Sequence, residues 1–307
     1  MKEQFNLVVI LGATAGGKTG LAVKAATHLS GEIISADSRQ VYRGMDLGTG
    51  KDLQEYGNVP YHLIDIVEPG SEYNVFQFQQ DCFDCIEDIW QRQRLPVICG
   101  GTGMYLDAVL RGYRMVAVPE NPSLRKELER LSDDDLKQKL CQLKPEQHNR
   151  TDLEQRDRLV RAIEIALGEQ DVAKQLPPLP QISPLVFGIK WPREILRKRI
   201  AIRLNERFEA GMIDEVQHLH DSGVPWERLE FYGLEYRLIA QYLQGQLNRN
   251  DMGQKLRSAI GQFAKRQDTF FRRMERNGVD IYWLNGEGDV FGELCEKIGD
   301  KIKVTGL

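Results

Sequence analysis

The sequence predicts an α/β fold: a parallel sheet flanked by helices, with an α-helical segment inserted between two of its strands. Three observations predict it. Short apolar runs recur at 7–11, in EIISA (32–36), LPVICG (95–100), PLVFGIK (184–190) and VDIYWL (279–284), each the length of a buried strand. Helical patterns separate the early runs, the alternation that builds a parallel sheet with helices on both faces. From Pro119 to about Leu176 the chain is helical and charge-rich, with no strand-like run.

The first run ends at Gly12 and opens GATAGGKT, residues 12–19, which fits the spacing G-x-x-x-x-G-K-[ST]. A strand precedes it and a helical pattern, Leu21 to Leu29, follows. Glycines let backbone N–H groups turn toward a phosphate, and the helix N-terminus adds positive potential. Lys18 brings a mobile charge, and Thr19 a hydroxyl able to ligate Mg²⁺ between phosphate oxygens. The core is therefore expected to be P-loop NTPase-like. Gly12, Ala13, Thr14, Ala15, Gly16, Gly17, Lys18 and Thr19 are expected to hold a diphosphate. The loop does not distinguish ATP from another diphosphate.

The second run opens into SADSRQVYRGMDLGTGKD, which puts Asp37 on the carboxyl edge, where parallel sheets place their chemistry. CGGTGMYL places Thr102 on the same edge. FQQDCFDCIEDIW reads as a helix with Phe78, Cys82, Cys85 and Ile89 on one face; its C-x-x-C has no second pair or nearby His to complete a zinc site. The proline-rich QLPPLPQISP closes the helical segment as a stiff linker. Strand character then returns, and Pro192 to Asn277 is helical again. The expected division is 1–118, first part of the core; 119–180, helical insertion; 181–307, core completion and C-terminal helices.

Basic residues are patterned on the helices. In LRKRIAIRLNERFEAGM, Leu196, Ile200, Leu204 and Phe208 form an apolar stripe, and Arg199, Arg203 and Arg207 a basic one beside it. Arg158 and Arg161 share a face in DRLVRAIEIAL. In QFAKRQDTFFRRM, Gln262, Arg266 and Arg273 share the polar side, with Phe263, Phe270 and Met274 expected inward. The net charge of the 307-residue chain is −4, so there is no global basic excess. Three local stripes on a mildly acidic protein fit a polyanionic partner. Five scattered Cys (82, 85, 99, 141, 295) without framework spacing point to reduced thiols and a cytoplasmic address. No stretch reaches the ~20 apolar residues of a membrane span, and the N-terminus runs straight into a strand without a cleavable signal. A monomer is expected.

The chain resembles the tRNA dimethylallyltransferases, also called tRNA isopentenyltransferases. GATAGGKT, ISADSRQVYRGMDLGTGK, VICGGTGMYL, DRLVRAIEI, RLNERFEAGMIDEV and AKRQDTFFRRM carry the resemblance, in the family's order and across almost the whole chain. It implies dimethylallyl diphosphate as donor and, as acceptor, N6 of the adenosine immediately 3′ of the anticodon. It further implies that Asp37 is the base on N6 and that Thr102 and Arg207 hold and neutralise the diphosphate. Ser38, Arg39 and Gln40 would touch the anticodon loop. Arg158, Arg161, Arg266 and Gln267 would bind tRNA, and the helical insertion would grip it. The family usually has Pro and Ser where this chain has Ala13 and Gly16. It usually has Gly-Tyr-Arg/Lys where this chain reads FYGLEYR, 231–237. The competing readings are an adenylate isopentenyltransferase, a small-molecule P-loop kinase with Asp37 activating a hydroxyl, and an RNA-binding NTPase without transfer activity.

Overall fold

The computed structural model describes residues 5–144, 155–172 and 178–303. The chain divides into two compact units, Met1–Arg111 with Pro180–Leu307, and Gly112–Leu179.

The first unit is built on a sheet of β1 (Leu7–Gly12), β2 (Gly31–Ala36), β3 (Tyr61–His62), β4 (Leu95–Gly100), β5 (Pro184–Lys190) and β6 (Ile281–Asn285). The strand order is β3-β2-β4-β1-β5-β6, and every pairing is parallel. All residues of β1 and β2 are buried. That is why β1 is a continuous Val, Ile and Leu run rather than an alternating one; β2 also buries Glu32 and Ser35, each with a hydrogen-bond partner. The two-residue β3 has no apolar run to announce it; it forms because Tyr61 pairs with Ile33. β6 begins two residues later than VDIYWL suggests, because the Val279 amide closes the preceding helix onto the Met274 carbonyl.

The helices of this unit are α1 (Lys18–His28), α2 (Val75–Gln91), α3 (Gly103–Leu110), α7 (Arg193–Glu209), α8 (Met212–Asp221), α9 (Trp226–Phe231), α10 (Leu234–Leu243), α11 (Arg249–Arg276) and α12 (Val290–Lys303). One core packs α1 and α12 against the sheet through Ile10, Leu21, Ala25, Ile33, Phe187 and Leu294. Another joins α7 to α11 through Leu196, Ile200, Leu204, Val216, Tyr236 and Leu256. On α2, Phe78, Cys82 and Ile89 are buried and Cys85 half-buried; all five cysteines are free thiols. Burial pushes the Cys82 thiol up and the Cys85 thiol to about 11, so neither is a thiolate at neutral pH.

The inward face of α11 differs from expectation. Met252, Leu256, Ile260, Ala264, Gln267, Phe271 and Met274 are buried, while Phe263 is exposed and Phe270 half-buried. Phe263 stands three residues after Ile260 and four before Gln267, at the spacing of the buried stripe, and is exposed because it borders a cavity and not another element.

The second unit holds α4 (Pro122–Leu128), α5 (Asp133–Leu143) and α6 (Arg156–Val172). Leu128, Leu136, Leu140, Leu159, Ile163 and Ala166 form its core. Asn121 and Ser132 cap α4 and α5. Residues 175–177 of the proline-rich linker lie outside the described residues.

Candidate active site

β1, β2 and β4 end level with one another: Leu11 and Ala36 both pair with Gly100. The segments leaving these strands therefore emerge at one edge and line a cavity of about 840 Å³.

The phosphate loop is held by its own Lys18 and by side chains distant in sequence. Its carbonyls at Ala13, Ala15 and Gly16 accept from Lys18 Nζ (3.0 Å), Arg199 Nε (2.8 Å) and Trp191 Nε1 (3.0 Å). The Arg199 guanidinium stacks on the Trp191 ring at 4.3 Å. Gln267 bridges the loop to the turn after β4: its Oε1 accepts from the Thr14 amide (2.8 Å) and its Nε2 donates to the Gly101 carbonyl (2.9 Å). A Cβ at Gly101 would collide with that amide, which explains the glycine there. The first N–H groups of α1 have no intrahelical partner and remain for an anion. Burial pushes the Lys18 ammonium below its ordinary value, opposed by Cys99 and Asp37. A bound anion would restore it.

After β2, the Asp37 Oδ1 accepts from the Arg39 amide (2.9 Å). The Thr102 hydroxyl accepts from the Ser38 amide (3.0 Å), so the turn after β4 also fixes the loop after β2. Asp37, Ser38, Arg39 and Thr102 line the cavity with Lys18 and Thr19.

Residues 46–52 form the facing wall, shaped by groups that the sequence did not single out. Glu215 accepts from the amides of Asp46 (2.9 Å), Leu47 (2.7 Å) and Gly48 (3.0 Å) and from the Tyr236 hydroxyl (2.6 Å). Lys51 is fully buried; its ammonium donates to the Tyr42 carbonyl (2.7 Å), to Asp46 (2.7 Å) and to Asp65. Gly50 has φ +68°, and a Cβ there would overlap the Arg207 guanidinium. Much of ISADSRQVYRGMDLGTGK is thus wall-building sequence rather than ligand-facing sequence.

Three groups of the expected site residues have partners within the protein. The α7 arginines do not form a free basic row: Arg203 and Arg207 both reach Asp52, and Arg199 holds the phosphate loop, because the buried stripe turns this face toward the cavity. Gln40 and Gln267, expected on the RNA side, are buried with both ends of their amides engaged. Gln40 accepts from Ser35 (2.8 Å) and donates to the Gly50 carbonyl (3.0 Å). Arg161, in the second unit, donates to Glu164 and to the Val118 carbonyl, so it anchors that unit's own loop. Arg158, on the same helix, is exposed, and Arg266 lines the cavity.

Burial, then repulsion from Arg203, pushes Arg207 below its ordinary value. Burial pushes the Glu235 carboxyl up. Glu235 lies in the departing FYGLEYR block; there Tyr236 is buried against Glu215, whereas Arg237 points outward as an exposed side chain. Lys18, Arg199, Arg203 and Arg207 bring positive charge to this cavity, whose lining also holds the carboxylates of Asp37, Asp52, Glu55, Glu206 and Glu235.

A phosphate loop and a carboxylate that open into one cavity suit a group-transfer site. The chain matches the IPP transferase family model over residues 40–274, and an isopentenyl transferase model over 5–57. It is 66% identical to tRNA dimethylallyltransferase 2 of Syntrophotalea carbinolica, covering 92% of this chain and 95% of that one. It is 62% identical to tRNA dimethylallyltransferase 1 of Geotalea uraniireducens, covering 95% and 96%. Its fold is similar to the crystal structure of a tRNA isopentenylpyrophosphate transferase from Bacillus halodurans, with a TM-score of 0.70 and 31% identity over 99% of this chain and 100% of that one. The chain belongs to the IPP transferase family.

Proposed function

We propose that this enzyme transfers a dimethylallyl group from dimethylallyl diphosphate to N6 of the adenosine immediately 3′ of the anticodon in tRNA, releasing diphosphate. The observation that carries the reading is that the phosphate loop and Asp37 open into one cavity with Thr102 and Arg207. Family membership and the curated relatives' names support the same chemistry.

N6 of adenine is a weak nucleophile because its lone pair is delocalised into the ring. Asp37 orients the amino group and accepts one N–H proton as nitrogen bonds to the allylic carbon. The carbon–oxygen bond to the diphosphate breaks as that bond forms. The leaving diphosphate gains charge, which the loop amides, Lys18, Arg203 and Arg207 neutralise, with the Thr102 hydroxyl as a further donor. Thr19, at the start of α1 in the cavity, would hold one Mg²⁺, which would supply further charge neutralisation. Among the described residues no group of three or more His, Cys, Asp or Glu is placed to hold a metal ion.

For tRNA we assign Ser38, Arg39 and Arg266 beside the cavity and Arg158 on the helical unit, Gly112–Leu179, with Gln40, Gln267 and Arg161 holding the surfaces that carry them. The target base must leave the loop stack to reach Asp37, at a cost of a few kcal/mol. We place the enzyme in the cytoplasm as a monomer; no described helix is long and apolar enough to cross a membrane.

The test is incubation with dimethylallyl diphosphate and bulk tRNA, then nucleoside mass analysis, with AMP and ADP as parallel acceptors. A dimethylallyl adduct on tRNA adenosine is expected, and Asp37→Ala should lower turnover by ~10²-fold or more with the fold intact. Alkylation of AMP or ADP alone assigns a free-nucleotide enzyme. ATP-dependent release of ADP assigns a kinase.

A further inference from the structure

We propose that Phe231 and Phe263 are nucleobase platforms, each backed by an arginine, that receive the unpaired loop bases next to the adenosine being alkylated. The proposal rests on the tRNA reading above.

Five large hydrophobic side chains are exposed among the described residues: Tyr61, Met104, Ile202, Phe231 and Phe263. Two of them line one cavity, and a third lies beside a residue that lines it. Ile202 and Phe263 line it directly, and Phe231 carries Arg39, which lines it. Clustered exposed apolar groups mark a contact surface, whereas scattered ones need no explanation.

The two phenylalanines share an arrangement. The Arg39 guanidinium lies over the Phe231 ring at 5.4 Å, and the Arg266 guanidinium over the Phe263 ring at 5.8 Å. Phe231 is nevertheless 61% exposed and Phe263 38%. Neither arginine makes a salt bridge with a carboxylate among the described residues, unlike Arg203 and Arg207. The stacked Arg199–Trp191 pair is different again, since Arg199 is tied to the phosphate loop. An exposed ring layered with an unpaired guanidinium has the two properties that single-stranded RNA recognition uses: a π-face for a base and a cation for the adjoining phosphate.

The backbone holds both platforms in place. Tyr232, next to Phe231, is buried against Tyr42 at 4.6 Å between ring centroids. Phe263 and Arg266 stand one turn apart on α11, whose next residue, Gln267, is bonded to the phosphate loop. The platforms are therefore rigidly connected to the groups that hold the donor. Extruding the target adenosine unstacks its neighbours. Rings waiting at the cavity mouth recover that stacking, and they do so only in the complex where the adenosine has left the loop.

The test uses a synthetic anticodon stem-loop with the full-length enzyme. Phe231→Ala and Phe263→Ala should each raise the stem-loop KM about tenfold, the scale of losing one stacked base. The KM for dimethylallyl diphosphate should stay unchanged, and Phe231→Ala, at the more exposed ring, should also leave the melting temperature unchanged. Trp at either position should retain the wild-type KM, and Leu should behave like Ala. With stem-loops abasic immediately 5′ or 3′ of the target, each Ala variant should converge with wild type on one of the two. An unchanged stem-loop KM in the Ala variants, full rescue by Leu, or an effect that persists on both abasic loops overturns the proposal. Failure of the wild-type enzyme to alkylate the intact stem-loop overturns the functional reading itself, and the platforms with it.

Discussion

The carboxamide of Gln267 accepts the amide proton of Thr14 at 2.8 Å and donates to the Gly101 carbonyl at 2.9 Å, so one side chain on α11 sets the spacing of the phosphate loop from the turn that carries Thr102. Gln267→Ala should leave two backbone groups without their partner, at a cost of about 1–3 kcal/mol if they stay dry. Competition by pyrophosphate against the donor should weaken by about tenfold, while stem-loop affinity changes little. Equal loss of both affinities in binding assays would assign Gln267 to the RNA instead.

Arg203 and Arg207 converge on Asp52, whereas Arg158 is exposed on the other unit. Arg203→Ala and Arg207→Ala should each lower the single-turnover rate with bound tRNA by ~10²-fold, the scale of losing one charge-stabilising donor, and leave tRNA affinity nearly intact. Arg158→Ala should weaken tRNA binding, spare the single-turnover rate and make the log–log salt dependence shallower by about one unit. The reverse pattern would mean that the α7 row binds RNA.

Lys51 is buried while its partners Asp46 and Asp65 reach water. Lys51→Met should cost about 3 kcal/mol, since it leaves two carboxylates and the Tyr42 carbonyl around an uncharged side chain. A lowered melting temperature should accompany loss of activity, because the same loop carries Gly50 against Arg207. A variant that keeps its melting temperature would show that the loop folds without this hub.

Glu164 accepts from Arg125, the Asn121 amide and Arg161, and these contacts hold its carboxyl at about 2, below the ordinary 4.5. A carboxylate with a depressed folded value stabilises above its unfolded value and loses that contribution as pH falls toward the folded one. The helical unit should therefore lose on the order of 3 kcal/mol between about pH 5 and pH 2. Hydrogen exchange of 156–169 in the full-length protein measures this, and Glu164→Gln should flatten the profile over that window. A profile that Glu164→Gln leaves unaltered would assign the acid sensitivity elsewhere.

By itself, the sequence determined what local physics can determine. Short apolar runs rich in β-branched and aromatic residues and bounded by Gly, Pro or Asn suit buried strands, so all the strands but Tyr61–His62 could be read directly. The glycines and Lys18 of residues 12–19 serve a phosphate whatever surrounds them, and Asp37 and Thr102 follow strands whose carboxyl ends must share an edge. Tertiary structure alone decided which side chains meet across the chain. Gln267 and Thr14 are 253 residues apart, Arg203 and Asp52 151, and Glu215 and Gly48 167. On a helix the apolar stripe gives the direction of the core, but not which loop the neighbouring polar stripe encounters. An arginine there has the same sequence signature whether it faces water, RNA or a half-buried carboxylate. The α7 arginines, Lys51 and Glu215 acquired their roles only when the loop after β2 was folded against α7, α8 and α10. Phe263 was read as core because a phenylalanine's hydrophobicity does not reveal that the chain leaves its ring at the mouth of a cavity.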